Sequence, residues 1–251
     1  MKSVIRLLIV AGLGYGAYWY AARPACGRAD AVACPEPALE EGVGTTLGAA
    51  GICPRSGYLC AGHDASFQVL RWPLDKGRLR VRVPPAEFLD AKTAQEVRDA
   101  VVEGIMAWDG HPFPIIVDTG SFTLHFPDIR VVWTQGLNVA AEGQMRMGGW
   151  PDGRRIHFET DGLAIVVPPP AALLAQMRAG PAQDMHQFLL AHLRAAAMHE
   201  MGHGLGLMHS DAKGDIMFPQ MSPDPSGAHL SARDIATVDA LYALPNGATV
   251  R

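Results

Sequence analysis

The chain has 251 residues, enough for one well-buried domain and a short additional segment. Its formal net charge is -4 at pH 7 and 18% of its residues are charged, so it lacks the basic surplus that neutralising a phosphate backbone requires. Composition therefore argues against a nucleic-acid partner and predicts a single main core.

The amino terminus carries an apolar run at 7–22, preceded by Lys2 and Arg6 and closed by Arg23. As a helix the run would span about 24 Å, shorter than the roughly 30 Å of a hydrocarbon core, which is typical of a cleaved signal peptide. Its aromatic residues resemble an interfacial belt, and no small-residue cleavage site directly follows, which favours an uncleaved anchor. Residues 1–23 are predicted to be a signal peptide or membrane anchor.

All the cysteines lie in the first quarter of the chain: Cys26, Cys34, Cys53 and Cys60. An even, clustered set without a CxxC pair predicts two disulfides rather than a zinc ribbon or a redox motif, and three pairings are open. The surrounding segment 24–65 is rich in Ala, Gly and Pro and predicts a tether. An extracytoplasmic location is expected: membrane-anchored, periplasmic or secreted.

The folded domain is predicted at 66–251, and its first half mixes strands with one helix. Thr93 and Glu96 have the spacing of a capping box, followed by apolar residues on one helical face, which predicts a helix near 93–109. Alternating or β-branched runs predict strands at 79–83, 122–126, 129–133 and 156–158. The fold class is therefore α+β.

The second half of this domain is predicted to hold two further helices. Asp184 and Gln187 can cap a helix that runs as far as His199. Ser231 and Asp234 can cap another, which ends before a proline and a glycine near residue 245.

Three histidines at the end of the first of these two helices, and just after it, have a spacing that is typical of metal ligands. His199 and His203 are four residues apart and project from the same helical face. Gly204 and Gly206 can end the helix in a left-handed turn, so that His209 approaches from another direction. Three neutral imidazoles suit a catalytic zinc ion, which keeps its fourth position for water.

Glu200 is predicted to be the general base beside that zinc. It would take the proton of the attacking water and return it to the departing amine. The alternatives are a helix with incidental histidines and a zinc site kept for structure alone, and a structural site would not need this glutamate.

The motif at 199–210, with Ser210 after its third histidine, resembles the metzincin clan of metallopeptidases and its matrixin branch. The run 215–219 is similar to that family's Met-turn, with Met217 beneath the ligands and Phe218 and Pro219 at the substrate pocket. The resemblance implies a zincin-like α+β domain with a twisted, mostly parallel sheet, an active-site helix and a C-terminal helix. It also implies a cleft that holds extended peptide.

The chain departs from the family pattern in three places. No cysteine-switch propeptide is visible, and the link 163–184 is unusually long. His157 resembles a ligand of a second, structural zinc, but its usual partner motif is absent. Glu159 and Asp161 offer hard oxygen ligands for a possible calcium ion.

The sequence therefore predicts a zinc-dependent endopeptidase that acts on a peptide or protein substrate. Two alternatives stay open: a membrane-tethered, zinc-containing protein that binds peptides without cutting them, and a hydrolase of small or cell-wall peptides. The oligomeric state is not predicted.

Overall fold

The computed structural model describes residues 42–61, 66–120, 127–134, 143–151, 156–166 and 182–251. These residues belong to one compact unit, Leu39–Arg251. No helix among them is long and apolar enough to cross a membrane. The predicted signal peptide or anchor, two of the cysteines and the strand predicted at 122–126 lie outside the described residues.

The described elements include eight strands and four α-helices. The strands are β1 (Thr46–Leu47), β2 (Phe67–Gln68), β3 (Leu79–Arg82), β4 (Ile115–Asp118), β5 (Ile129–Thr134), β6 (Gly143–Pro151), β7 (Ile156–Val166) and β8 (Thr249–Val250). The helices are α1 (Ala49–Ile52), α2 (Ala91–Met106), α3 (Ala182–Gly204) and α4 (Ala232–Ala243).

The main sheet has five strands in the order β4-β3-β5-β7-β6. All neighbours are parallel except the pair of β6 and β7, and β6 is an edge strand of the sheet. The predicted α+β class and mostly parallel mixed sheet are confirmed. An antiparallel edge strand is a place where an extended peptide can add itself to a sheet.

The core lies between this sheet and the pair of helices α2 and α3. The alternation predicted for β3 is confirmed, since Leu79 and Val81 are buried and Arg80 is exposed. Helix α2 packs closely on α3 at Gly104, where an added Cβ would lie 2.2 Å from the carbonyl oxygen of Arg194. This close packing places the end of α3 at a fixed position.

A second, three-stranded sheet has the order β1-β8-β2, with β8 parallel to β1 and antiparallel to β2. A disulfide joins Cys53 and Cys60 in the segment after β1, and Tyr58 and Leu59 are buried in the core. The sequence predicts that this segment belongs to a tether over residues 24–65. The described part of it packs within the domain instead, because its apolar side chains have a partner surface that no local pattern reveals.

Several predicted boundaries shift in the structure. Helix α2 begins at Ala91 because Asp90 is its N-cap and accepts hydrogen bonds from the backbone N–H groups of Lys92 and Thr93, so the capping box proposed for Thr93 is wrong. Helix α3 begins at Ala182, before the predicted cap at Asp184. The capping box of Ser231 and Asp234 on α4 is confirmed.

Candidate metal centre

Helix α3 brings His199 and His203 together, as their spacing predicts. Their ring centroids lie 4.9 Å apart, and α3 ends one residue after His203. Two tryptophan side chains donate hydrogen bonds to backbone carbonyls of α3. Trp108 donates to the carbonyl of Met198 at 2.8 Å, and Trp72 donates to the carbonyl of Gly204 at 2.7 Å. The last turns of α3 are therefore held by buried hydrogen bonds as well as by packing.

Gly206 makes the turn that follows the helix. Its φ of 100° lies in the region that favours glycine, and an added Cβ would lie 2.5 Å from the carbonyl oxygen of Leu70. The N–H of Leu207 bonds back to the carbonyl of Gly202 at 3.0 Å, which closes the turn. The prediction that a left-handed glycine follows the helix is confirmed at this position, whereas Gly204 is the last residue of α3.

The turn brings His209 back to the two helical histidines. Potential ligand atoms of His199, His203 and His209 all lie within 4.8 Å of one another, and these are the one such group among the described side chains. The Nε2 atoms of His203 and His209 are 3.3 Å apart. Two ligands about 2.0–2.1 Å from a tetrahedral zinc ion are separated by roughly 3.3–3.4 Å, so this pair of nitrogens has the separation that zinc requires.

Backbone carbonyls determine which nitrogen each helical histidine can offer to a metal. His199 Nδ1 lies 2.7 Å from the carbonyl oxygen of Ile216, and His203 Nδ1 lies 2.7 Å from that of Leu207. A carbonyl can only accept, so each Nδ1 carries the proton and each Nε2 keeps a free lone pair. The two imidazoles are therefore held in the tautomer that ligates through Nε2.

Burial favours the neutral form of all three imidazoles. Burial lowers the pKa of His199 and His209, and it lowers the pKa of His203 to about 4, with a further contribution from neighbouring His199. Only neutral imidazole binds a metal ion, so the group is ready to ligate at neutral pH. Exposure rises from His199 to His209, which leaves the site open on one side.

Glu200 follows the first ligand on α3 and is 6% exposed. Successive residues of an α-helix are rotated by about 100° around its axis, so Glu200 is not on the line of residues that carries His199 and His203 but on the neighbouring part of the helix surface. A buried carboxylate at the position directly after a metal ligand can act as a base toward a water molecule at the centre.

Met217 lies beneath the helix that carries the ligands. It is fully buried, and its Sδ occupies the space beside Gly202, where an added Cβ would lie 2.3 Å from the sulfur. The N–H of Ser210 donates to the Met217 carbonyl at 2.8 Å, which ties the residue after His209 to this turn. Met217 is thus packed against the helix that carries the ligands, and its role as the methionine of a Met-turn stays a prediction.

The segment after His209 is held by buried polar groups. The carboxylate of Asp215 accepts from the hydroxyls of Ser210 and Ser231 and from the guanidinium of Arg233. Arg233 also pairs with Asp211 at 2.7 Å. These contacts connect both sides of the Met-turn to the start of α4.

A cavity of about 300 Å³ opens beside His199. Its lining includes Ala195 of α3 together with Gln220 and Met221, which follow the Met-turn. The predicted pocket residues Phe218 and Pro219 stand between the lining residues Ile216 and Gln220 in the chain but do not belong to the lining, and their role in binding substrate stays a prediction. The lining residues that the sequence analysis missed occupy an irregular segment, which carries no periodic pattern to reveal them.

The remaining metal predictions lie in β7. The backbones of His157, Glu159 and Asp161 belong to this strand, but their side chains lie outside what the structure describes. The possible calcium ion therefore stays a prediction.

Comparison with known proteins agrees with this geometry. The family model described as Matrixin matches residues 93–243. A curated relative, Metalloendoproteinase 4-MMP of Arabidopsis thaliana, is 40% identical over 50 residues, which cover 20% of this chain and 15% of that protein. The match to this relative is thus confined to a small part of each protein.

Proposed function

Because this chain belongs to the matrixin family of zinc metallopeptidases, we propose that it is an endopeptidase that cleaves peptide bonds with Glu200 as its general base. The observation that carries the proposal is the convergence of His199, His203 and His209, together with a buried glutamate at the position directly after the first of them. A structural zinc site has no need of that carboxylate, whereas hydrolysis requires a group that accepts a proton.

The chain's own residues supply most of the chemistry. The three histidines would hold zinc, which polarises the peptide carbonyl and lowers the pKa of a water molecule. Glu200 would take the proton of the attacking water and deliver it to the nitrogen of the departing amine. His199 and His203 keep their orientation because backbone carbonyls hold their Nδ1 atoms.

Two features support an extended peptide as the substrate. Helix α3 contacts β6 and β7, so the antiparallel edge of the main sheet lies near the helix of the metal centre. A peptide that pairs with such an edge projects alternate side chains toward the protein. The cavity beside His199 has the volume to accept one of them.

The test is cleavage of a mixed denatured-protein substrate by the full chain, with bound zinc quantified. We expect a chelator to abolish cutting and added zinc to restore it. Glu200→Gln should keep zinc and lose cleavage by a factor of at least about 100, since general-base catalysis contributes 10²–10⁴-fold. Glu87→Gln is the matched control, because Glu87 is an exposed glutamate between β3 and α2.

The alternatives give different results in the same assay. Bound zinc with tight peptide binding but no cutting would replace the endopeptidase with a peptide-binding protein. Cutting of short or cell-wall peptides alone would replace it with a hydrolase of small substrates. Unchanged cleavage by Glu200→Gln would contradict the role of Glu200.

We also propose an extracytoplasmic location. The apolar run near the amino terminus supports export or anchoring, and the Cys53–Cys60 disulfide is of a kind that persists in oxidising compartments. Cell fractionation of the tagged full chain, with the exposed side probed by a protease, tests this location. Recovery in the cytoplasm would contradict it.

A further inference from the structure

We propose that Tyr58 is a positioning residue of the metal centre, held in place by the disulfide loop, which we define as residues 53–60. It acts on His199 through Asp234 and the backbone of Ile216. The proposal rests on the zinc site proposed above but not on the peptidase reaction. The disulfide loop lies in the segment that the sequence predicts to be a tether, and the proposal makes it part of the structure that supports the zinc site.

Hydrogen bonds connect Tyr58 to the metal centre through Asp234 and the backbone of Ile216. The Tyr58 hydroxyl donates to Oδ1 of Asp234 at 2.7 Å. The other carboxylate oxygen, Oδ2, accepts from the N–H of Ile216 at 2.9 Å. The carbonyl of Ile216 in turn accepts from His199 Nδ1 at 2.7 Å. A shift of Asp234 therefore moves the residue that orients a metal ligand.

Every side chain in this connection is shielded from water. Tyr58 is 2% exposed and Asp234 is 0% exposed. A buried carboxylate needs all its hydrogen-bond donors, because water cannot replace one that is lost. Burial, and then the neighbouring Asp234, raise the pKa of Tyr58, so the hydroxyl keeps its proton and remains a donor.

The loop fits α4 too closely to be an incidental neighbour. Gly57 has a φ of 61°, and an added Cβ would lie 2.1 Å from Oγ1 of Thr237 and 2.9 Å from the carbonyl oxygen of Arg233. The N–H of Tyr58 donates to the same Thr237 oxygen at 3.1 Å. The backbone of Gly57 and Tyr58 therefore contacts α4 directly, and at Gly57 it has a conformation that favours glycine.

A second contact connects the loop to the segment after His209. The Arg233 guanidinium lies 5.6 Å from the centre of the Tyr58 ring and pairs with Asp215 and Asp211. The disulfide closes the loop around Tyr58 over a sequence separation of 7. It thereby limits the positions that Tyr58 can take before docking.

The first measurement is zinc affinity of the full chain, by competition with a chromophoric chelator. Tyr58→Phe removes only the hydroxyl, and we expect it to weaken zinc binding about tenfold, since groups that orient metal ligands typically contribute 10–100-fold. Gly57→Ala should weaken binding at least as much by displacing the loop. Gly51→Ala is the matched control, because an added Cβ there meets nothing within 4 Å.

A double-mutant cycle separates positioning from general stability. Asp234→Asn, alone and combined with Tyr58→Phe, should give zinc affinities that are not additive, because both changes act through Ile216. The thermal midpoint of each metal-free variant is measured alongside. A purely structural role would lower that midpoint and leave the zinc affinity of the folded protein unchanged.

The outcomes distinguish this inference from the proposed function. Zinc affinity within twofold of the parent chain for both Tyr58→Phe and Gly57→Ala would overturn the inference. Tight zinc binding that depends on Tyr58, in a protein that cuts no peptide, would support the inference and count against the endopeptidase. A parent chain that binds no zinc would overturn both.

Discussion

The metal centre joins two regions that are built in different ways. Helix α3 supplies His199 and His203 from a regular element packed among apolar side chains. The segment 205–231 supplies His209 and contains no helix or strand. Its geometry is maintained by hydrogen bonds to Asp215 and Asp234.

This difference shows how one site can depend on two kinds of stabilisation. Packing of α3 is shared with the whole core, so weakening it should lower the stability of the protein as a whole. The polar contacts of the segment 205–231 are local and directional, so weakening them should lower global stability less than changes at α3 do, and should also affect zinc affinity where the contact lies next to a ligand. Substitutions in each region test this contrast.

The largest effect is expected from Trp108→Ala, in the packing against α3. Trp108 is fully buried and donates to the carbonyl of Met198. Its removal should lower the free energy of unfolding by about 3–5 kcal/mol, measured by denaturant titration of the metal-free protein. Phe88→Ala is the control, since Phe88 is 39% exposed and should change the free energy little. A loss of zinc affinity without a loss of stability would reverse the contrast.

An intermediate effect is expected from Asp215→Ala, in the polar region. The change leaves Ser210, Ser231 and Arg233 without their shared acceptor, at a cost to the free energy of unfolding of about 2 kcal/mol. Zinc affinity should fall as well, because Ser210 follows His209. Calorimetry and chelator competition measure the two losses. Asp239→Ala removes an exposed aspartate of α4 and serves as the control.

The smallest effect is expected from Ser231→Ala, at the cap of α4. Its hydroxyl accepts from the N–H of Asp234 at 3.0 Å and donates to Asp215. Loss of the cap should lower the free energy of unfolding by about 1 kcal/mol. Ser231→Thr keeps a hydroxyl and should restore most of the loss in the same unfolding assay. Equal losses for both variants would assign the effect to packing rather than to the cap.

The regular region could be predicted from the sequence far better than the irregular one. Apolar periodicity and the spacing of His199, Glu200 and His203 depend only on neighbours along α3, so they are visible without a structure. His209 could be placed because Gly206 indicates a left-handed turn. Strands β4 and β6 and most of β7 were missed, since pairing with distant strands determines them and local propensity is a weak guide.

The polar support of the site shows the same limit. Ser231 and Asp234 were identified correctly as a capping box, but their contacts with Asp215 and Ile216 depend on a turn far from them in sequence. Nothing in the residues around Tyr58 indicates that its hydroxyl meets a carboxylate 176 positions away. Long-range side-chain contacts of this kind leave no periodic signal.

The three-stranded sheet also sets an order of events during folding. Its middle strand, β8, lies about 200 residues after β1, to which it pairs. At roughly 5–20 residues per second, a ribosome makes β1 some 10–40 s before β8. Cys53 and Cys60 are near neighbours by comparison, and closing a short chain segment is fast. The loop around Tyr58 can therefore acquire its covalent closure early, whereas its place on α4 becomes available only after that much later helix has been synthesised.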